Sequence, residues 1–466
     1  MKIRTRLCGL LLALLMPCAL AAHPWNEMKR VMKSIQTPVI AKRTLNITDF
    51  HTPGDSLYTK AINKAIEECS ARGGGRVVVP DGDFLTGPIR MRSGVELHLS
   101  DHTRLRFITD YRQFPIVLTR IEGIDCWNVS PLIYAYGEHD IAVTGKGTLD
   151  GQATTDNWYS KDFVERRDPN GKKASEKYEL NLALERQTPV DQRRFTGPRC
   201  FRPQFINFYK CSRILLEDFE VNRSPFWLIH PLLSDNITVR GLRLISHGRN
   251  NDGCDPESCR NVLIENCTFD TGDDCIAIKS GKDADGRRWN LPSENIIVRK
   301  CRMKDGHAGM AIGSEITGGC RKVWMEDCHM DSPELGRMLR IKSNPVRGGE
   351  VSDIYVRDVE VGEVSLAIVG IELNYWHTHE GPYAPSFHDI YIEGVTSGKS
   401  RYVLHVDGPE GKGWAHAINF SNCDFSGVTA PEVNKAAAAD NVAFDNVTVN
   451  GDGFAGTRKE SSQSPS

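Results

Sequence analysis

The sequence lacks the features that would each have pointed to a particular kind of partner. Its 58 Lys and Arg nearly cancel 60 Asp and Glu, leaving a formal charge of −2. No lysine or arginine run forms a basic stripe, so nucleic acid is not an expected partner. After the first two dozen residues no apolar run reaches the ~18 residues that cross a bilayer, and no membrane span is expected. A strict short period is missing too, which argues against a propeller with four strands per blade. Apolar material is not lacking: 40% of residues are hydrophobic and 25% charged, enough for a large core, so disorder is excluded for most of the chain.

The opening "MKIRTRLCGLLLALLMPCALAA" has basic residues, an apolar stretch from Leu7 to Leu15, and small residues at Ala19, Ala21 and Ala22. This pattern predicts a signal peptide over residues 1–22, cleaved near Ala21 or Ala22, and a periplasmic or secreted mature chain. Pro17 is a poor neighbour for a lipidated cysteine and argues against a lipoprotein anchor at Cys18. Of 14 cysteines, Cys8 and Cys18 fall in this leader. Twelve remain for an oxidising compartment, where a disulfide scaffold is the obvious reading.

The positions of the cysteines favour another reading. Segments such as "DNITVRGLRL", "CRNVLIENCTF", "ENIIVRKCRM" and "CRKVWMEDCHM" share one pattern: turn, apolar, any, apolar, charged, polar, apolar. The first apolar positions are Ile214, Ile237, Val262, Ile296, Val323, Ile354 and Ile390, at intervals of 23, 25, 34, 27, 31 and 36. Strand alternation recurs once per repeat. Cys211, Cys259 and Cys320 sit three residues before this marker; Cys267, Cys301, Cys328 and Cys423 form a second column five after it. Stacked repeats would place the second column inside, where a thiol behaves as a small hydrophobe, so buried thiol ladders are expected, with any disulfide connectivity left open. Variable intervals around a constant strand register predict an all-β chain folded as a single-stranded parallel β-helix over residues 23–450, with loops of differing length on chosen faces.

Three segments depart from the repeat. "LYTKAINKAIEECSARGGG" puts Leu57, Ala61, Ile62, Ala65, Ile66 and Cys69 on one helical face, and Gly73 to Gly75 end it, predicting a helix that caps the open end of the solenoid. Residues 152–199 are polar with few strand signals and read as a long loop excursion that walls a groove. Residues 451–466 read as a flexible tail.

"TGDDCIAIKSG" sets Asp273 beside Asp274 ahead of a buried strand. In a cleft of reduced dielectric, like charges at 4 Å repel by about 4 kcal/mol, so something must hold them there. "GRNNDGCDPES", "DGHAGMAIGSE" and "RIKSN" fall in successive coils. Stacking at about 4.8 Å would gather Asp252, Asp273, Asp274, His307, Arg340 and Lys342 into one patch. Three carboxylates, a histidine and two cations suit hydrolysis of a glycosidic bond between acidic sugars: a protonated carboxyl donates to the leaving oxygen while an opposed carboxylate activates water. Crowding is expected to raise one carboxyl pKa. Arg340, by a two-pronged bond, and Lys342 would grip the sugar carboxylate. Asn250 and Tyr375 complete the expected substrate-binding set. Taken singly, each residue also has an ordinary reading as a turn residue or solvated cation.

At these residues the chain resembles the polygalacturonase family of glycoside hydrolases, family 28, and in look its bacterial exo-acting members. The motifs stand here as Asn250-Asn251-Asp252, Gly272-Asp273-Asp274, Gly306-His307-Ala308 and Arg340-Ile341-Lys342. Asn251 stands where the family has threonine and Ala308 where it has a second glycine. The resemblance implies a right-handed parallel β-helix, inversion at the anomeric carbon, and no metal or other cofactor. It implies Asp273 as general acid, Asp252 and Asp274 as the water-activating pair, and His307 as the group that maintains the acid's protonation. It implies a pectic polysaccharide or oligogalacturonide substrate, an exo mode, and a monomer. The inserted "SGKDADGRRWNLPSEN" is expected to help close one end of the groove. The alternatives are a hydrolase of rhamnogalacturonan or substituted galacturonan, a calcium-dependent pectate lyase, and a non-catalytic pectin-binding β-helix.

Overall fold

The seven marker residues form one column. In the computed structural model Ile214, Ile237, Val262, Ile296, Val323, Ile354 and Ile390 are Cα partners in consecutive parallel pairings, each shut off from solvent. The column continues to Ile141 at one end and to Ile418 and Val442 at the other. Fully burying each such side chain contributes about 1.5–3 kcal/mol, and stacking gives every one the same neighbours above and below. The structure describes residues 23–163, 166–167, 171, 173–430, 434–435 and 437–455; the expected signal peptide and residues 456–466 of the expected tail lie outside them.

Turn chemistry shapes each coil. One residue before the marker (Asn236, Asn261, Asn295, Asp353, Asp389) and four after it (Asp218, Gly241, Asn266, Asp327, Asp358, Gly394) the backbone has positive φ, a region that asparagine, aspartate and glycine enter most readily. The first is skipped in the pairing register, as where Asp235 faces Arg260 and Ile237 faces Val262. The second turns the corner into the next short strand, such as Thr268–Thr271. The cysteine column follows that corner: Cys267, Cys301, Cys328 and Cys423 are buried in the main core. All twelve cysteines of the described residues are buried and free.

A third face completes the coil and carries the site. Strands Ile89–Arg90, Ile133–Tyr136, Ile206–Tyr209 and Ile229–Leu232 make one parallel ladder. Bridges at Cys254 and Glu257 join it to a second ladder of Ile276–Ile278, Met310–Ile312, Arg337–Lys342, Ala367–Glu372, Tyr402–Asp407 and Asn434–Lys435. Ile276, Ile312, Ile341, Ile371 and Leu404 fill the interior. The result is a parallel β-helix, right-handed as twisted strands favour for parallel crossovers.

Helix Thr59–Ala71 buries Ala61, Ile62, Ala65, Ile66 and Cys69 against the first coils, and Arg43 donates to the carbonyls of Arg72 and Gly74 at its end. A helix the sequence did not signal, Pro24–Ser34, packs Trp25 and Met28 on the outer face against Leu263, Ile297 and Trp324. The tail is corrected at its start: Asp452–Gly453 pairs back on Thr448–Val449, and Phe454 stacks edge-on against Phe444 at 4.8 Å, because the last coil has an apolar end to cover. Among the described residues no helix is long and apolar enough to cross a membrane.

Both long departures from the repeat lie against one hairpin, Ile116–Ile121 with Ile124–Val129. The excursion includes helix Glu176–Glu185, and the 280–295 insertion folds as helix Asp283–Trp289. They meet in a buried ionic cluster. Fully buried Arg120 bonds Asp125 at 2.8 Å and Glu257 at 3.0 Å. Arg288 and Trp289 bond Asp125 at 2.6 and 2.7 Å, and Arg193 bonds Asp285 at 2.7 Å. Charges buried this way need every partner present, which fixes both insertions on the site face.

Candidate active site

The site sits where the corner runs into the third face. Gly253 donates to the carbonyl of Asp274, and Cys275 to that of Ala308, so Asp252, Asp274 and Ala308 follow one another on adjacent coils. Gly272 is required there, since a Cβ would lie 2.5 Å from the Gly248 carbonyl oxygen. Ala308 is fully buried in this stack.

Asp252, Asp273, Asp274, Lys342, Asn250 and Tyr375 line one cavity of about 80 Å³. His307 joins it through Asp273, its Nδ1 2.8 Å from Oδ1. The adjacent aspartates are held by different partners: Lys342 Nζ lies 2.7 Å from Asp274 Oδ2 and Arg340 Nη1 lies 4.0 Å from Asp274 Oδ1.

Two sequence expectations are corrected. Arg340 does not offer its fork to substrate: Nε and Nη2 donate to the two oxygens of Glu372, both at 2.9 Å, and Arg337 adds a third contact. The crowded carboxyl with a raised pKa is not Asp273. Burial would raise Asp273, but the His307 bond, Lys342 and Lys279 hold it down at about 2. The raised group is Asp252: burial pushes it well above the usual carboxylate range, Asp273 and Asp255 push it further, and Lys279 offsets only part. Burial raises Asp255 in the same way. His307 is raised by its bond to Asp273.

The centre of this field is a residue the sequence reading missed. Lys279 is buried, with Nζ 3.7 Å from Asp252, 3.5 Å from Asp255 and 3.4 Å from Glu315, and 4.5 Å from the centre of the Trp227 ring. Burial would push Glu315 up, yet Lys279, Arg347, Lys282 and Lys342 hold it well below the usual range. Asn251, noted only as a departure, is the latch of the Asp252 turn. Its Oδ1 accepts from Ser246, Gly248 and Tyr159, and its Nδ2 donates to the carbonyls of Ser224 and Phe226. Tyr159 comes from the excursion, so Asn251 ties loop to site. The one sequence signal for Lys279 was its place directly after the apolar run Cys275 to Ile278 that follows the aspartate pair.

Asp273, Asp274 and His307 could present three ligand atoms to a metal within 4.8 Å of one another. A divalent ion there would face the fixed charges of Lys342 and Arg340, which already neutralise Asp274. The donor set is better suited to moving protons than to holding calcium, which seeks six to eight oxygens.

A second cavity of about 250 Å³ shares Glu122, Lys177 and Asn250 with the first. Its walls include Lys161, Leu180 and Asn181 from the excursion, with Phe201, Phe226 and Arg249.

Comparison with known proteins agrees with this geometry. The model for glycosyl hydrolases family 28 matches residues 196–447, which include Asp252, Asp273 and Asp274. The chain is 36% identical to a hyperthermoactive exopolygalacturonase from Thermotoga maritima of known structure, with a TM-score of 0.86, covering 92% of this chain and 97% of that one. It is 29% identical over 384 residues to a probable polygalacturonase of Vitis vinifera, covering 78% of this chain and 70% of the relative. It is 24% identical over 442 residues to an exo-poly-alpha-D-galacturonosidase of Dickeya chrysanthemi, covering 88% and 72%. With more than half its length matched by the family model and its acid cluster inside that match, the chain belongs to the glycosyl hydrolases of family 28.

Proposed function

We propose that the protein is an exo-acting polygalacturonase, which hydrolyses α-1,4-linked galacturonate from a chain end with inversion. The observation that carries the exo mode is the second cavity: it adjoins the carboxylates at Asn250 and Lys177, and the excursion walls it. A cavity walled by the excursion beside the carboxylates is suited to receive a chain end. The relatives named as exo-acting support the same reading, and the leader-like residues 1–22 support export.

In this reading the proton donor is the Asp273–His307 pair. Asp273 alone would be ionised, but a proton on His307, 2.8 Å away, can pass through Asp273 to the leaving oxygen, and the raised imidazole keeps it available above the ordinary histidine range. Asp252, with its raised pKa, is the stronger base for water. Asp274, fixed by Lys342, shares in orienting that water. An ammonium has three donors, so Lys342 has donors left for a sugar carboxylate after bonding Asp274. Elimination is disfavoured because Asp274 is already held by Lys342 and Arg340, which leaves a poor oxygen set for the calcium that elimination uses.

The test is digestion of polygalacturonate. Galacturonate release should outpace viscosity loss, and proton NMR should show the inverted anomer first. A rapid viscosity drop at low conversion would overturn the exo mode, and unsaturated products would overturn hydrolysis.

A further inference from the structure

Trp376, 71% exposed, lines the catalytic cavity with Tyr375, Lys342 and Asp274 but is not among the residues that line the adjoining cavity walled by the excursion. An indole this open on a soluble surface loses the stabilisation that burial would give it. The loop is built to keep it there. Tyr375 N donates to the Ser343 carbonyl, and Asn344 Nδ2 donates to the Tyr375 carbonyl. Farther on, Tyr383 N donates to the Pro345 carbonyl, and Arg287 stacks on the Tyr383 ring at 3.8 Å. Between these anchors Trp376 and His377 both take positive φ, 61° and 54°. That region is unfavourable for a bulky residue and is held only where the surroundings impose it, as at ligand-binding positions. Tyr375 lies edge-on to the indole at 5.6 Å, while its own ring covers Lys342 and Arg340 at 5.5 and 5.8 Å. The loop thus presents one ring to the cations and one to the open end of the cavity.

We infer that Trp376 is the stacking platform for the galacturonan ring on the leaving-group side of the scissile bond. The inference rests on the polygalacturonase reading, in which the walled cavity takes the terminal sugar and the rest of the chain lies outside it. A pyranose has an apolar face of C–H groups that an indole can cover, and the sugar carboxylate would point toward Lys342. Trp376 acts as a specificity residue that binds substrate, and it touches no reacting bond.

The test uses full-length protein with Trp376→Gly, which suits the positive φ and removes the ring without strain, and Trp376→Phe, which keeps a smaller ring. On oligogalacturonides of three or more sugars, Trp376→Gly should raise KM about tenfold or more, the scale of one buried aromatic contact, with kcat little changed. Trp376→Phe should recover most of the loss. In an Asp273→Asn background, titration with trigalacturonate should change tryptophan fluorescence, and Trp376→Gly should sharply reduce the change, leaving only what Trp227 in the same cavity supplies. An unaltered KM, or a fluorescence response undiminished by loss of Trp376, overturns the platform. Wild-type protein that binds trigalacturonate through Trp376 without cleaving it would overturn the function and keep the platform.

Discussion

Lys279 offers the sharpest test of how the site is held together. Replacing it with methionine keeps most of the volume and removes one buried positive charge from among Asp252, Asp255 and Glu315. Removing one partner from a buried ion pair costs about 3–5 kcal/mol. For a chain of 466 residues melting as one unit, the unfolding entropy is roughly 1 kcal/mol/K, so Tm should fall by about 3–5 °C at neutral pH. The sign with pH follows from linkage. Asp252 and Asp255 have raised pKa values in the folded state, so their ionisation costs stability, and that cost is absent below the unfolded carboxylate pKa of ~3.9. Glu315, held low by Lys279, contributes stability above its unfolded pKa and loses it on acidification. The Asp252 and Asp255 effect makes the deficit of Lys279→Met smaller at pH 4 than at pH 7, whereas the Glu315 effect persists at pH 4 and is lost only as pH falls further, toward its depressed folded pKa. Lys279 is also the charge that lowers Asp252, so in the variant the acidic limb of kcat/KM should move to higher pH. Thermal melts followed by circular dichroism at pH 4 and 7, with a pH–rate profile, decide it. A variant that melts within a degree of wild type at pH 7, or a deficit that does not shrink on acidification, refutes the reasoning.

Other outcomes follow from the same geometry. On its basic side wild-type kcat/KM should fall as pH rises through the raised His307 pKa, while its acidic side follows protonation of Asp252; His307→Gln should lower kcat and remove the basic limb, as a pH–rate series would show. Arg340→Lys should lower Tm and kcat/KM although charge is kept, because an ammonium cannot replace the fork on Glu372; Glu372→Gln should reproduce the defect if Glu372 is the partner that matters. Since all twelve cysteines of the described residues are free, thiol titration of unfolded protein prepared without residues 1–22 should count twelve without reductant, and dithiothreitol should leave Tm unchanged.

The coil could be read from the sequence because its signals are local and repeated. Apolar alternation around Ile237, Val262 and Ile296 is set by the two-residue period of a strand, and Asn or Gly at the corners by the φ that one residue must adopt, so each coil announces itself in its own ten residues. The cysteine columns followed from the same register, as did the gathering of Asp252, Asp273, Asp274, His307, Arg340 and Lys342 on one face. The helix Pro24–Ser34 escaped because it buries only Trp25 and Met28, whereas Thr59–Ala71 buries five residues on a face that the sequence displays. What each charged residue does there was decided only by the fold. Arg340 and Glu372 are 32 residues apart in sequence, and nothing in "RIKSN" says that the guanidinium is already taken. Lys279 looks like the polar end of a strand until neighbouring coils bring Asp252, Asp255 and Glu315 around it. Asp273 and Asp274 look equivalent until His307 and Lys342 select one each. Strand register depends on the chemistry of a few adjacent residues, whereas the charge state of a buried group depends on every charge within a few ångströms, and only the stacked coils and clamped loops determine which charges those are.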